Sequence, residues 1–430
     1  MTAPTPANSP TNSVRPETGS DDRLDAGRLR SLVVINFAAS VAFTAMYATQ
    51  PILPQIGDEF HVSPAQAGLT LLSVTFGLAF ASLGAGQLAD RFGARRVMLI
   101  CGAALTLFSA LTPFAPTFAV LVALRAAQGL SIPGITIAGL AYLHNELPAA
   151  WRGRVSGFYI AANTIGGLVS RLGVGLLVET IGWRGGLGLV AAWVSTGVLL
   201  LLVISPSKQR HAAPAVEEPS VVASAEAPAV GVIMRRLWWA PLIGATVFFP
   251  FLTIFSYSTY RLEGPPFNLS ATVTSLIYLT YILGAIAAPI AGNFSDHVGR
   301  RPTIQLALVI CGAGMACSLT TSLAVVALGL TLVCIGSLMA HVVANASVSQ
   351  SANPLGAQAR ATALSLYTLG FYVGGGLGSF LPGLALVRYG WNGVVAMCAV
   401  AAVGALLCSL MTPARPEKSA TAALEAPTAG

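Results

Sequence analysis

The chain has 430 residues, of which 55% are hydrophobic and 9% are charged, and its formal net charge is +7. About a quarter of the residues of a soluble globular domain are charged, and so few polar groups could not cover a large water-soluble enzyme. The composition therefore excludes that class and predicts an all-α protein embedded in a lipid bilayer.

The first 30 residues are rich in Pro, Thr, Ser and Asn, and no short apolar core stands before a small-residue cleavage site. This composition is typical of a disordered tail and not of a signal peptide. We therefore expect 1–30 to form a cytoplasmic tail, with the first apolar run acting as the insertion signal.

Long apolar runs follow, each close to the ~20 residues that cross the hydrocarbon core as a helix. Unpaired backbone amides are costly in lipid, so each run is predicted to be helical. The predicted architecture is twelve transmembrane helices in two six-helix halves, 31–205 and 236–412. The predicted spans are 31–53, 65–88, 95–115, 118–142, 153–176, 184–205, 236–259, 272–293, 302–321, 323–345, 361–386 and 391–412.

The positive charges predict the orientation of these spans. With the N-terminus inside, 18 of the 23 Lys and Arg residues fall in the tails or the even-numbered connections, and only three fall outside. This distribution satisfies the positive-inside rule, so both termini are predicted to be cytoplasmic. The longest connection, 206–235, is predicted to be a flexible cytoplasmic linker, and 413–430 a cytoplasmic tail.

A short phrase occurs once in each half. "GQLADRFGARR" at 86–96 and "GNFSDHVGRRP" at 292–302 share Gly-x-x-x-Asp-x-x-Gly, and their aspartates stand 206 residues apart. Tyr159 and Tyr367, like Trp183 and Trp391, keep an offset of 208. The chain is therefore predicted to be a duplicated six-helix unit.

The phrase falls in the predicted tight turn between the second and third spans of each half. Its first glycine, Gly86, is expected to let another helix approach closely. Its second glycine, Gly93, is expected to adopt the positive φ that turns a helix. Its aspartate suits a helix N-terminus or an arginine, and its arginines favour the inside.

These residues resemble a known family. "GQLADRFGARRVML" is similar to the loop signature of the major facilitator superfamily, and "LVALRAAQG" (121–129) resembles the fourth-helix signature of its proton-antiporting drug exporters. "YATQPILPQIGDEFHVS" (47–63), "NTIGGLVSRL" (163–172), "YRLEGPPFNLS" (260–270) and "MAHVVANAS" (339–347) resemble the YnfM-like branch of the drug and metabolite antiporters. The resemblance implies alternating access between two rocking halves.

Two departures bear on the direction of transport. Ala94 stands where the loop pattern often has arginine, and Asn163 replaces the proline that many antiporters have before the paired glycines of the fifth helix. The antiporter signature is therefore incomplete. Proton antiport and proton symport both remain open.

The resemblance implies that the loop latches the cytoplasmic side when the cavity faces outward. The candidate latch is Gly86, Asp90, Gly93 and Arg95, with Asp296, Gly299 and Arg301 as the copy in the second half. The alternative is a solvated loop that serves only to fix topology.

Two arginines lie inside predicted spans, where a charge is costly and should face a cavity or a partner. Arg125 lies roughly 10 Å into the fourth span at 1.5 Å per residue. The resemblance assigns it to proton coupling or substrate contact; the alternative is an arginine that braces helices through backbone carbonyls. Arg171 lies at a similar depth from the other side. It is predicted either to attract an anionic group of the substrate or to cap carbonyls.

No acidic residue falls in the core of a predicted span, so the proton carrier must be another group. The candidates are Asp90, Glu146, His144 and His341. His341 lies late in the tenth span, and the ordinary histidine pKa of about 6.5 suits a proton switch. The alternative for His341 is a packing residue.

By family analogy, spans one, four, seven and ten line the path. Polar and aromatic side chains in apolar walls suit an amphiphilic organic molecule, although each one singly could also be a packing residue. The candidates are Thr44, Tyr47, Gln50, Gln128, Asn163, Thr253, Tyr257 and Tyr367.

The leading hypothesis is an inner-membrane exporter of an amphiphilic organic compound, driven by proton influx. The alternatives are a symporter or facilitator that imports a metabolite and, outside transport, a membrane sensor or assembly factor. No nucleophile–base pair or phosphate loop stands out, so an enzyme is not expected. We expect no cofactor beyond the proton gradient, no metal, no nucleic-acid partner and a monomer. The six cysteines are expected to pack as small apolar residues.

Overall fold

The computed structural model describes residues 25–148, 151–203 and 230–412, and all of its regular elements are helical. Turns of 3₁₀-helix join some of the longer helices. The α-helices are α1 Ala26–Tyr47, α2 Leu53–Phe60, α3 Pro64–Phe92, α4 Ala94–Leu111, α5 Phe118–Glu146, α6 Arg152–Leu200, α7 Val230–Arg236, α8 Trp239–Glu263, α9 Ala271–Ser275, α10 Thr280–Val298, α11 Arg300–Cys317, α12 Leu323–Ala352 and α13 Ala357–Ser409.

Nine helical stretches of the described residues are long and apolar enough to cross a membrane. Two of these stretches, in α6 and α13, are interrupted by a glycine with positive φ, Gly182 at 69° and Gly390 at 62°. Helix α11 is not among the nine. The multi-pass helical architecture is confirmed, whereas the number of twelve spans and the cytoplasmic position of the termini stay predictions.

The halves repeat the packing of their first and fifth predicted spans. Thr44 in α1 donates to the Gly166 carbonyl of α6 over 3.0 Å, and Thr253 in α8 donates to the Gly378 carbonyl of α13 over 2.8 Å. The glycines allow this approach, because a Cβ added to Gly166 would lie 1.9 Å from the Ser40 carbonyl oxygen. The backbones therefore touch in both halves, in agreement with the predicted duplication.

Two predicted boundaries were wrong. The tail was predicted to reach residue 30, but α1 begins at Ala26, where the Asp25 side chain accepts from the Arg28 amide and caps the helix. The linker was predicted to reach residue 235, but α7 occupies Val230–Arg236, and its Ile233 is buried in the core of the second half. Apolar contact there outweighs the linker-like composition. The rest of the linker and both tails lie outside the described residues.

The helix bundle has two ends, which we call the Asp58 end and the Asp90 end after one residue at each. The Asp58 end contains α2 and the C-terminus of α8, and the Asp90 end contains the α3–α4 and α10–α11 turns. Asp58 and Glu59 are in α2.

Candidate functional site

The two halves are joined by hydrogen bonds at the Asp58 end. Ser379 Oγ of α13 donates to the Gly68 carbonyl of α3 over 3.2 Å. Three side-chain pairs lie at the same end, and each takes one residue from each half. They are Gln50 Nε2 to Ser256 Oγ at 3.0 Å, Gln55 Nε2 to Glu263 Oε2 at 3.1 Å, and Thr272 Oγ1 to Glu179 Oε2 at 2.7 Å.

Arg125 is buried beside the end of α1. Helix α1 stops at Tyr47, just before Pro51, which has no N–H to donate. Arg125 Nη1 donates to the Ala45 carbonyl over 2.7 Å, Nη2 donates to the Met46 carbonyl, and Nε donates to the Thr70 carbonyl over 3.2 Å. The guanidinium therefore ties α1 to α3 and satisfies carbonyls where α1 ends.

Gln128, one turn further along α5, completes this arrangement. Its Oε1 accepts from Arg125 Nη1 over 2.5 Å, and its Nε2 donates to Ser109 and Thr112 over 3.1 Å each. Every nitrogen of the Arg125 guanidinium thus has a partner. These contacts match the bracing alternative, and the roles of Arg125 and Gln128 in transport stay predictions.

Arg171 has different surroundings, although it is also only 1% exposed. Its Nε donates to Gln50 Oε1 over 2.5 Å, and its Nη1 donates to the Gly167 carbonyl over 2.9 Å. Its Nη2 is buried and has no hydrogen-bond partner among the described residues. Arg171 therefore keeps a free donor inside the protein.

Aromatic rings from both halves surround the Arg171 guanidinium. Its Cζ lies 3.7 Å from the ring centre of Tyr47 in the first half, and 4.4 Å and 5.9 Å from those of Tyr281 and Tyr278 in the second. Ring faces stabilise a cation, most strongly where water is excluded. The hydroxyl of Tyr281 is also buried without a partner in the described part of the chain.

The paired glycines of α6 explain why this arginine fits. Gly166 carries the close approach to α1, while a Cβ added to Gly167 would lie 2.8 Å from Arg171 Nη1 and 3.2 Å from Tyr47 Cδ2. Only a residue without a side chain leaves room for the guanidinium and the ring together. Asn163 lies two turns before Arg171 on the same helix, half-buried, and its Oδ1 has no partner among the described residues.

His341 in α12 contacts Tyr367 in α13. Its Nδ1 lies 2.8 Å from the Tyr367 hydroxyl, which also donates to the His341 carbonyl over 3.2 Å, and its ring centre lies 4.2 Å from that of Phe371. When the hydroxyl donates to the carbonyl, Nδ1 is the protonated nitrogen and Nε2 remains as an acceptor. The site then contains one neutral proton acceptor among aromatic rings.

The loop glycines behave in two ways. Gly93 and Gly299 have φ of 86° and 106°, which confirms the positive φ predicted for the second glycine of the phrase. The first glycine has no close neighbour in this state, because a Cβ added to Gly86 would meet no described atom within 4 Å, and the close approach predicted for it stays a prediction. The described hydrogen bonds between the halves lie at the opposite end, which leaves space beside Gly86.

The loop arginines contact their own halves. Arg95 Nη2 donates to the Leu202 carbonyl over 3.3 Å, and Arg301 Nη2 donates to the Leu410 and Thr412 carbonyls over 2.6 and 2.7 Å. Both carbonyl sets lie at the end of the last predicted span of their half. The arginines thus cap helix ends, where carbonyls attract a cation.

The remaining predicted residues are more dispersed. Asp90 and Asp296 are exposed at the Asp90 end, and Glu146 is half-buried at the last residue of α5. Tyr257 is buried and donates to the Ser379 carbonyl over 2.5 Å, so its hydroxyl holds α8 to α13. The latch, proton and cavity roles of these residues stay predictions.

Two cavities in the described structure lie on the first half, and neither is lined by Arg171 or by the tyrosines around it. One has a volume of about 360 Å³ and lies between α1 and the two parts of α6, and the other, of about 800 Å³, lies beside Arg184 at the Asp58 end. The first has exposed apolar walls, including Leu189 and Trp193. Its position suits contact with lipid more than with a polar ligand.

Sequence reasoning missed the partners of Arg171 in the second half. Tyr278 and Tyr281 were not selected, although they stand three residues apart in "YLTYILG" within a predicted span and so share a helix face. Their proximity to Arg171 depends on how the halves pack, which a single-sequence pattern does not encode.

The comparisons with known proteins agree with this architecture. The family model described as Major Facilitator Superfamily matches residues 35–352 and 243–429. The inner membrane transport protein YnfM of Escherichia coli (strain K12) is 31% identical over 379 residues, which cover 86% of this chain and 88% of YnfM. This similarity confirms the predicted resemblance to the YnfM-like branch.

Solved structures show the same fold at low identity. A bacterial homologue of the human lysosomal transporter Spinster, crystallised inward-facing and unoccupied, matches with a TM-score of 0.70 and 16% identity, covering 90% of this chain and 98% of that one. A D-xylose–proton symporter matches with a TM-score of 0.70 and 17% identity, covering 91% and 99%. These relatives are transporters, which confirms that an enzyme was not to be expected. The chain belongs to the major facilitator superfamily of membrane transporters.

Proposed function

We propose that this transporter works by alternating access in the inner membrane and expels an amphiphilic organic compound in exchange for protons. The observation that carries the proposal is the asymmetry between the two ends of the helix bundle. Side chains of opposite halves bond to each other at the Asp58 end, whereas the loop arginines at the Asp90 end bond to their own halves. This arrangement is expected of a rocking transporter with one gate closed.

The positive charges support an outer position for the closed gate. The positive-inside rule places the Asp90 end, with its loop arginines, in the cytoplasm. The state described is then closed to the outside. Rocking would break the pairs at the Asp58 end and bring the loops at the Asp90 end together, which is where Asp90 and Asp296 would act as latches.

His341 is the proposed proton carrier. It has an imidazole nitrogen free to accept a proton, and its other ring nitrogen is held by Tyr367. Exposed Asp90 and Asp296 are less suited, because a coupling group must be shielded from bulk water in part of the cycle. Glu146 at the end of α5 is the second candidate.

The aromatic walls favour an amphiphilic substrate. Phe248 stacks on Phe371 with ring centres 3.8 Å apart, and Phe371 also contacts His341. A flat apolar molecule fits such surroundings better than a sugar or a bare ion. The protein is proposed to act as a monomer with no cofactor beyond the proton gradient, because each unit of this fold can enclose its own pathway.

Proton flux tests the proposal directly. Purified protein in liposomes with a trapped pH dye is challenged with amphiphilic anions, cations and neutral compounds. We expect protons to leave the liposomes as one class enters. The variant His341→Asn should abolish this flux but retain exchange of labelled against unlabelled compound across the membrane.

The matched control is His61→Asn. His61 is exposed at the Asp58 end with φ of 52°, a conformation that asparagine tolerates. This variant should keep wild-type proton flux. Equal flux in the wild type and His341→Asn would refute the proton role of His341.

Proton symport is the second candidate. Asn163 replaces the proline of the antiporter signature, and a structure with the same fold is a D-xylose–proton symporter. In the liposome experiment, protons that enter together with the compound would establish symport. Compound movement without any proton movement would establish a facilitator.

A further inference from the structure

We propose that Arg171 and Tyr281 recognise the anionic group of the substrate, so that the compound carried is an organic anion with a flat apolar body. The proposal rests on the proposed transport function and narrows its substrate class. The site would accept a carboxylate, sulfonate or phosphate, because these groups share oxygen acceptors and negative charge.

Two buried donors without partners carry the proposal. Arg171 Nη2 and the Tyr281 hydroxyl have no hydrogen-bond partner in the described structure, although the two residues are only 1% and 5% exposed. Buried donors in folded proteins are almost always paired, because an unpaired one loses its hydration without replacement. A ligand oxygen that accepts from both would satisfy both.

The charge of Arg171 is also unbalanced. The ion pair that the structure describes joins Glu59 to Arg184 near the protein surface, and no described carboxylate contacts Arg171. The rings of Tyr47 and Tyr281 stabilise the cation but do not neutralise it. An anionic group of the substrate would neutralise the charge of Arg171. A cationic compound would be repelled, and a neutral compound would leave the charge uncompensated.

The surrounding rings select the rest of the ligand. Tyr281 also packs against Phe251 and Phe255, with ring centres 5.1 and 4.9 Å away. An aromatic or other flat body beside the anionic group can stack on this surface. A small inorganic anion has no apolar body and could not stack on these rings.

The proposed anion site contains residues of both halves and shares Gln50 with the closed gate at the Asp58 end. Arg171 and Gln50 belong to the first half, Tyr281 belongs to the second, and the same Gln50 donates to Ser256 across the closed end. Opening the Asp58 end would draw Tyr281 away from Arg171 and weaken the hold on the anion. The site is thus complete when the outer gate is closed and incomplete when it opens, which favours release to the outside.

Binding of three matched probes tests the inference. 2-Naphthoate, 2-naphthalenemethanol and 2-naphthylmethylammonium share one ring system and differ in charge. Their affinities are measured from the quenching of protein fluorescence in nanodiscs of zwitterionic lipid, where no lipid anion competes. We expect naphthoate to bind at least tenfold more tightly than either other probe.

Two variants assign the effect to the site. Arg171→Gln should abolish the preference for naphthoate over the alcohol. Tyr281→Phe should weaken naphthoate about tenfold, the range of one hydrogen bond to a charged group, and leave the alcohol unchanged. Because the Tyr281 hydroxyl has no hydrogen-bond partner to lose among the described residues, Tyr281→Phe should fold even if Arg171→Gln does not. Tyr260→Phe is the matched control, since it removes another buried hydroxyl that has no partner among the described residues, and the Tyr260 ring is not one of the described rings around Arg171.

Three results would overturn the inference. They are equal affinity of all three probes, a naphthoate affinity that is unchanged in Tyr281→Phe, and loss of naphthoate binding when anionic lipid is added, which would assign the site to a lipid headgroup. Binding is measured without a proton gradient. Tight naphthoate binding without proton flux would therefore refute the proposed exchange while leaving the anion site intact.

Discussion

The guanidinium of Arg171 lies over the ring of Tyr47, with its Cζ 3.7 Å from the ring centre. The other buried arginine, Arg125, has every guanidinium nitrogen bonded to oxygen. Two arginines that look equivalent in the sequence thus differ in what they can still bind. Arg125 contacts the carbonyls where α1 ends, and Arg171 keeps a donor that has no partner among the described residues and that the proposed ligand would use.

Replacing Arg125 with lysine should destabilise the protein. Lysine presents a point charge and cannot reach the Ala45, Met46 and Thr70 carbonyls together. A hydrogen bond to a charged group contributes about 1.5–3 kcal/mol, and lysine would lose at least one of these bonds. We expect the apparent Tm of Arg125→Lys in detergent to fall by several degrees. The control is Arg388→Lys, whose side chain is exposed and whose Tm should be unchanged. An unchanged Tm in Arg125→Lys would contradict the bracing role.

Adding one methyl group at Gly167 should disturb the Arg171 site. The new Cβ would lie 2.8 Å from Arg171 Nη1, so the guanidinium must move off the Tyr47 ring. We expect Gly167→Ala to lose naphthoate affinity severalfold. Gly173→Ala on the same helix meets no atom within 4 Å and should gain up to about 1 kcal/mol in stability. Equal naphthoate binding by Gly167→Ala and Gly173→Ala would contradict a role for Arg171 and Tyr47 in binding the probe.

The open space beside Gly86 predicts a variant that folds but does not transport. Gly86→Leu enters open space in the described state, because no described atom lies within 4 Å of a Cβ added there. If rocking brings another helix against Gly86, leucine blocks that step. We expect wild-type expression and Tm but at least tenfold slower proton flux. Gly312→Leu, also in open space, should be neutral. Normal flux in Gly86→Leu would show that no helix closes there.

The latch at the Asp90 end predicts a charge effect. Asp90→Asn keeps the size of the side chain but removes the charge that would hold a helix N-terminus or an arginine in the outward-facing state. We expect slower transport with normal membrane insertion, and a smaller effect for Asp296→Asn. Asp25→Asn is the control, because asparagine caps a helix as well as aspartate does. Unchanged transport in a well-folded Asp90→Asn protein would leave the loop as a solvated turn.

The closed gate predicts that a bridge at the Asp58 end stops transport. Glu179 and Thr272 lie in opposite halves with side-chain oxygens 2.7 Å apart. Cysteines at both positions, joined by a short cleavable thiol reagent, should abolish proton flux because the halves can no longer rock. Cleaving the linker should restore it. The two single-cysteine variants with the same reagent control for the native cysteines. Full activity of the bridged protein would contradict rocking at this end.

Much of the fold could be predicted because a membrane restricts the backbone. Long apolar runs must be helical, and the duplicated phrase with Trp183 and Trp391 identifies the repeat. Positive φ at Gly93 and Gly299 also follows from a local rule, since a tight turn between helices needs it. The end of the linker was not predictable, because Ile233 becomes helical through contact with distant residues.

The sequence by itself determined the helical membrane architecture, the duplication and the presence of two costly buried arginines. Hydropathy and spacing are local properties, and each span obeys them alone. Only the tertiary structure decided which arginine keeps a free donor. That outcome depends on Tyr281 and Tyr278, more than a hundred residues away, packing against Arg171 across the interface of the halves.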